Sequence, residues 1–184
     1  MQSKGDVEIS GNTQGRIANK GMEGLASAEG QTLYGAMQSP LEQDGGTDDG
    51  YTRIARVDAR TGMVKEIAHP LTNIGKVVKP KYSTVSDIVA INDHQLQVDE
   101  RDGKGLGDGS SAVVKLTGFA FGPDADVDGA AKHTLFIAND NDYSSVVGGK
   151  SNPNQFFFGR RSTTMRATTT VTDAVAAPRG SECG

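Results

Sequence analysis

"GMEGLASAEGQTLYGAM", Gly21 to Met37, reads as two short apolar runs around a polar Glu-Gly-Gln break. A related phrase returns from Leu116 to Asp140, "LTGFAFGPDADVDGAAKHTLFIAND". Each copy sets Gly, an apolar residue and Ala together, then a polar insert containing Gly, then Thr-Leu and an aromatic. Apolar runs of this length, broken by Gly turns and without a helical stripe, predict strand–turn–strand units. Stating the unit twice predicts a repeated β architecture. The copies differ at one chemically loaded place: Glu23 in the first is matched by Thr117 in the second.

Working outward, the same signature recurs. Residues 52–71 alternate apolar and polar, with Ile54 and Val57 before "DARTG", and Val64 and Ile67 after it. That is a hairpin pattern. Residues 85–102 form a second hairpin that bends at "NDH". "SPLEQDGGTDDGY" is an acidic loop, and "GKGLGDGS" is a flexible Gly loop. Residues 1–20 are an irregular lead-in. After Asn152 come three consecutive Phe and then a Thr-, Ala- and Arg-rich end, and residues 159–184 read as a disordered tail. The expected fold is all-β. A propeller blade takes ~40–50 residues and a ring at least about four blades. The segment 21–158 is therefore expected to be an incomplete, β-propeller-like ring of antiparallel blades.

Composition narrows the function. The formal net charge is −4, so neither a nucleic acid nor an anionic membrane is expected as partner. No run approaches the ~18 apolar residues of a membrane-spanning helix, and the first residues lack the apolar core of a signal peptide. Cys183 is the single cysteine and has no internal disulfide partner. His69, His94 and His133 show no zinc spacing, and no serine stands in a G-x-S-x-G context. "DADVDG", Asp124 to Gly129, copies half an EF-hand, but the twelfth position is Leu135, so that motif is rejected.

Carboxylates and cations remain as candidates. Asp87 interrupts an apolar strand and needs partners there, because an unpaired buried charge is costly. It faces either an interior or water. Glu100 beside Arg101 could pair a carboxylate with a phosphate-binding guanidinium, or the two could form an internal salt bridge. Asn139, Asp140, Asn141 and Asp142 put four oxygen-bearing side chains at a strand exit, suited to a hard cation or to a turn.

Taken in order, "NKGMEGLASAEGQTLYGAMQSPLEQDGG", "RIARVDARTGMVKEIAHPL", "VSDIVAINDHQLQVDERDGKGLGD" and "HTLFIANDND" resemble the phytase-like family, described as having esterase-like activity of phytase. The resemblance covers about residues 16–158. It implies a β-propeller, usually periplasmic or secreted, and activity by likeness to calcium-dependent phytases. It implies an ester hydrolase, of phosphate or other esters, with a small-molecule substrate. Glu23, Asp87, Glu100 and Arg101 would be catalytic, and Ca²⁺ would be held by Glu23, Asp87, Asn139, Asp140 and Asp142. Members are roughly double this length and carry Glu where Thr117 stands, so the chain reads as a truncated member. Two further readings follow: a non-catalytic propeller fragment or binding module, and self-association through open edge strands.

Overall fold

The computed structural model describes residues 12–101, 116–141, 143–147, 149–151, 153–161 and 169–170. The expected all-β class holds, with antiparallel sheets joined by turns and only three-residue 3-10 turns as helix. Among the described residues the strands form separate open sheets and do not close into a barrel or ring.

The first sheet is a four-stranded meander: β1 (Met22–Ala28), β2 (Thr32–Met37), β3 (Tyr51–Asp58) and β4 (Val64–Pro70). "EGQ" makes the turn between β1 and β2, as its glycine suggests: Gly30 has φ +73°, where a Cβ would be strained. The alternation read in 52–71 is the register of β3 on β4, which pairs Ile54 with Ile67 and Thr52 with His69. The acidic loop between β2 and β3 is tied down by charge. Arg53 grips Asp44 with Nε and Nη2 at 2.7 and 2.6 Å, and Glu66 with Nη1 at 2.6 Å. Those carboxylates, Asp44 first, hold the guanidinium well above its ordinary pKa.

The second sheet joins β5 (Thr84–Asn92) and β6 (Gln95–Arg101), with β12 (Thr169–Thr170) against β6. The third joins β7 (Leu116–Val127), β8 (Ala130–Asn139) and β11 (Phe156–Arg161). Between them in sequence lie two-residue strands β9 (Val146–Val147) and β10 (Lys150–Ser151). "DADVDG" is mostly strand. Only Asp128 and Gly129 turn, both at positive φ, the geometry a two-residue Asp-Gly hairpin loop requires. β11 reaches Arg161, three residues into the segment expected to be disordered, and Thr169–Thr170 pair with β6. The Phe run supplies the reason: aromatic side chains favour the pleated surface, and Phe158 lies over Phe136 with ring centroids 5.3 Å apart.

β1 runs along β5, and β5 along β7, so the first strands of the three sheets face one another. The core fills the space between the first two sheets: Ala26, Tyr34, Ala36, Ile54, Ile67, Leu71, Val85, Ile88 and Leu96. Tyr34 is fully buried, and its hydroxyl donates to the Asp93 carbonyl at 2.6 Å. Gly24 explains the glycine of the opening motif. A Cβ there would stand 2.8 Å from Ile88 Cγ1 and 3.0 Å from Ile88 N, so only a bare backbone lets β1 approach β5.

Candidate functional site

The matching positions of the sequence repeat are matching positions in space. Glu23 is skipped in the pairing of Met22 with Met37 and Gly24 with Ala36. Thr117 is skipped between Leu116–Asn139 and Gly118–Ala138. The second sheet has the same irregularity, with Ser86 skipped between Val85–Glu100 and Asp87–Asp99. Each first strand thus opens with a one-residue bulge, a device that re-aims a side chain. Ser86 is the third copy, which the sequence reading did not pair with the other two because "VSDIVAI" lacks the glycine.

Opposite the bulges lie the ends of β2 and β6, and these build the site. A cleft of about 290 Å³ opens where β1 and β5 begin and β2, β4 and β6 end. Lys20, Lys81 and Arg101 line it, with Asp49 as its one carboxylate among the described residues. None of the three cations has a side-chain ion pair or hydrogen bond among the described residues. Ser39 and Ser83 share the wall. Gln38 also lines the cleft. Its backbone stitches the site together: N–H donates to Gly21 O at 2.8 Å, and its carbonyl accepts from Val85 N at 3.0 Å. Its side chain is 8% exposed, and Oε1 is buried without a partner among the described residues. A buried acceptor left this way is costly unless something donates to it.

The expected catalytic residues separate in role. Arg101 is in the cleft. Glu100, beside it, points instead between the first two sheets, where Oε1 accepts from His69 Nε2 at 2.8 Å and Oε2 from Thr72 N at 2.9 Å. Ser83 Oγ donates to the same Oε2. Burial alone would raise this carboxyl, but the three donors overcome it and hold the pKa at about 2. His69 is 3% exposed. Ser, Glu and His therefore meet, but with the carboxylate between the other two, which is not the order that activates a serine. Asp87 is engaged as well: Oδ1 accepts from Ile88 N at 2.8 Å and Oδ2 from Phe119 N at 2.7 Å, tying the second sheet to the third. Opposite it, Asp99 accepts from Ser86 Oγ. Burial, reinforced by the Asp87 charge, pushes Asp99 up against that hydrogen bond. Glu23 is exposed on its bulge, and its carboxylate has no partner among the described residues.

The expected calcium ligands are not gathered into one set. Among the described residues no three of His, Cys, Asp and Glu converge. Asn139 is buried and acts as a clamp, accepting from Gln155 N and donating to Pro153 O at 3.2 Å. Asp140 is exposed, and Asp142 lies outside the described residues. Ca²⁺ takes 6–8 oxygens, and the described side chains supply no such cage. The chemistry below uses the chain's own groups.

Sequence reasoning found Arg101 but not its companions. Lys20, Gln38 and Lys81 are far apart in the chain, and only the meeting of β2 with the start of β5 brings them together. No curated protein and no solved structure matches the chain. A family model does, over residues 2–135. The chain belongs to the phytase-like family, described as esterase-like activity of phytase, and with it to a hydrolase-type function in general.

Proposed function

We propose that the chain hydrolyses small anionic esters, phosphate monoesters first, bound in the cleft between the first and second sheets. The observation that carries this reading is the convergence of Lys20, Lys81 and Arg101 on a cleft where, among the described residues, they have no ion pair and Asp49 is the single carboxylate. An excess of cations around a concave, partly desolvated surface favours a polyanionic group, and a guanidinium matches two phosphate oxygens at once. Gln38 lines the cleft, and a small shift of its buried Oε1 would let it accept from a substrate hydroxyl or a protonated phosphate oxygen. Glu23 is the base in this scheme. It is the expected catalytic carboxylate left without a partner among the described residues; it is not part of the cleft lining and stands three residues beyond Lys20 on the first sheet, from where it would have to reach the ester. It would take the proton from a water attacking the ester, while the cations steady the charge that develops on the phosphoryl oxygens. Glu100, held near pKa 2, is too weak a base for that work and serves the fold. The facing first strands support reading the three sheets as propeller blades. An extracytoplasmic setting belongs to the same proposal and rests on the family resemblance.

One observation favours a second reading, a non-catalytic module that binds anions. Asp87, Asp99 and Glu100 all accept from internal donors, and the bulge of the third sheet offers Thr117 where that of the first offers Glu23. Turnover of p-nitrophenyl phosphate and p-nitrophenyl acetate separates the readings. Hydrolase action predicts phosphatase turnover inhibited by inorganic phosphate, a raised KM in Arg101→Met, and a lowered kcat with little change in KM in Glu23→Gln. Phosphate binding without turnover selects the binding module. Turnover of the acetate ester alone, unaffected by Arg101→Met, rejects the phosphate assignment.

A further inference from the structure

One element lends its base to the cleft and core, through Lys81 and Tyr82, while its tip lies clear of both. Residues 73–82, "NIGKVVKPKY", project as a small hairpin between β4 and β5. Its arms are held firmly. Ile74 N donates to Lys81 O at 2.7 Å, and Lys79 N donates to Lys76 O at 3.0 Å across the turn. Asn73 Oδ1 accepts from Gly75 N at 2.8 Å and Lys81 N at 3.2 Å. Gly75 is required by the closeness of the arms, since a Cβ there would stand 2.5 Å from Lys81 N. This well-bonded scaffold presents two valines at its tip, Val77 at 93% and Val78 at 91% exposure. Such positions usually carry Gly, Asn, Asp or Ser, and β-branched apolar residues there gain nothing from the turn. Lys76 and Lys79 flank them, and Lys81 stands at the base. From Ala68 to Ser86 there is no acidic residue. None of these lysines has an ion pair among the described residues.

We propose that this hairpin docks the protein onto an anionic phospholipid surface, with Val77 and Val78 entering the headgroup–acyl boundary and Lys76 and Lys79 meeting the lipid phosphates. The shape chooses the occupant. A convex tip of two side chains is too narrow for a specific protein interface, which covers about 800 Å² per partner. A bilayer yields around a small apolar wedge, and lysine stems lie along it while their ammonium groups stay at headgroup level. The net charge of −4 argued against an anionic membrane as a whole-chain average. Attraction at a surface acts within about a Debye length, ~8 Å at physiological salt, so the acid-free hairpin governs it locally. Because the tip is already ordered, little conformational freedom is lost on docking. The inference uses no part of the hydrolase reading.

The test is flotation of the full chain with phosphatidylcholine vesicles, with and without phosphatidylserine. Wild type is expected to float with the phosphatidylserine vesicles, less at high salt, and not with phosphatidylcholine alone. The double variant Val77→Asp/Val78→Asp should lose binding by about tenfold or more. Lys76→Glu/Lys79→Glu should lose it too, which keeps the test decisive if the first variant fails to fold. Arg101→Met, in the cleft, should float like wild type. No flotation of wild type, equal flotation with both vesicles, or an unchanged tip variant each overturns the proposal. So does a lipid-free elution shift of wild type abolished by Val77→Asp/Val78→Asp, which would assign the tip to a second copy of the chain.

Discussion

Glu100 is a carboxylate whose neighbours decide its work. Three donors from three places, the His69 ring, the Thr72 amide and the Ser83 hydroxyl, close on its two oxygens between the first and second sheets. Its folded pKa, about 2, lies below that of the unfolded carboxyl. The stability it contributes is therefore fully present above the unfolded value of about 4.3 and is lost as pH falls toward 2. Discounted for partial exposure, that contribution is on the order of 1–2 kcal/mol. Urea unfolding of wild type and Glu100→Gln should show a gap at pH 7 that closes as pH falls through this window. A gap that does not change with pH would mean the carboxylate charge is not what holds the clamp. Asp99 has the opposite sign. Its folded pKa is raised, chiefly by burial, so the charged form costs stability as pH rises past the unfolded value. Asp99→Asn keeps an acceptor for Ser86 and removes the buried charge, so it should stabilise at pH 7 and lose that advantage in acid. Equal effects at pH 7 and pH 3 would refute this assignment.

At the scale of the strand, the two glycines of the repeat look interchangeable in sequence and are not so in the fold. At Gly24 a Cβ would press on the Ile88 backbone of another sheet, which cannot step aside. At Gly118 it would meet the Ala138 methyl carbon at 3.4 Å and Ala138 N at 4.0 Å, both ordinary contacts. Gly24→Ala should therefore destabilise by about 1–3 kcal/mol. Gly118→Ala should be neutral, or stabilising by up to ~0.5–1 kcal/mol through the unfolded chain. Similar losses from both variants in chemical denaturation would mean that β1 does not pack on β5 as described. This contrast also marks what the sequence makes legible. Period-two alternation in 52–71 and the Asp-Gly pair at 128–129 are local signals, and they locate β3, β4 and the β7–β8 turn. The match of Glu23 with Thr117 survives as a shared bulge because bulge and motif sit on the same few residues. Ser86 stayed hidden because its bulge lacks the glycine. β11 stayed hidden because its partner, β8, is distant in sequence. The cleft is the least legible part. Asp87 and Glu100 carry a signal of chemistry in sequence, yet their oxygens are taken up by Phe119, His69 and Ser83, contacts that exist only once the sheets stack. Lys20, Lys81 and Gln38 carry no local pattern at all.

Across the whole molecule, one core joins the first two sheets, and the cleft sits where they meet, so occupying the cleft must reinforce that junction. Gln38 shows how: it lines the cleft while its backbone bonds both sheets. A ligand that binds only the folded state raises stability by RT ln(1 + [L]/Kd), about 2.7 kcal/mol at a hundredfold excess. In a domain this size that is a rise in Tm of several degrees. Phosphate also stabilises proteins generally, by exclusion from their surfaces. The informative quantity is therefore the difference between wild type and Lys81→Met/Arg101→Met at the same phosphate concentration. The outer sheets leave Met22, Leu25, Phe156 and Phe158 in water, so melts at two protein concentrations keep association from imitating ligand binding. Wild type should gain several degrees more than the double variant. The gain should persist in EDTA, because the cations that hold the phosphate belong to the chain. Equal gains would leave only the general salt effect and remove the cleft from the functional account. A gain that vanishes in EDTA would move phosphate binding to a metal, and so to ligands beyond the carboxylates placed here.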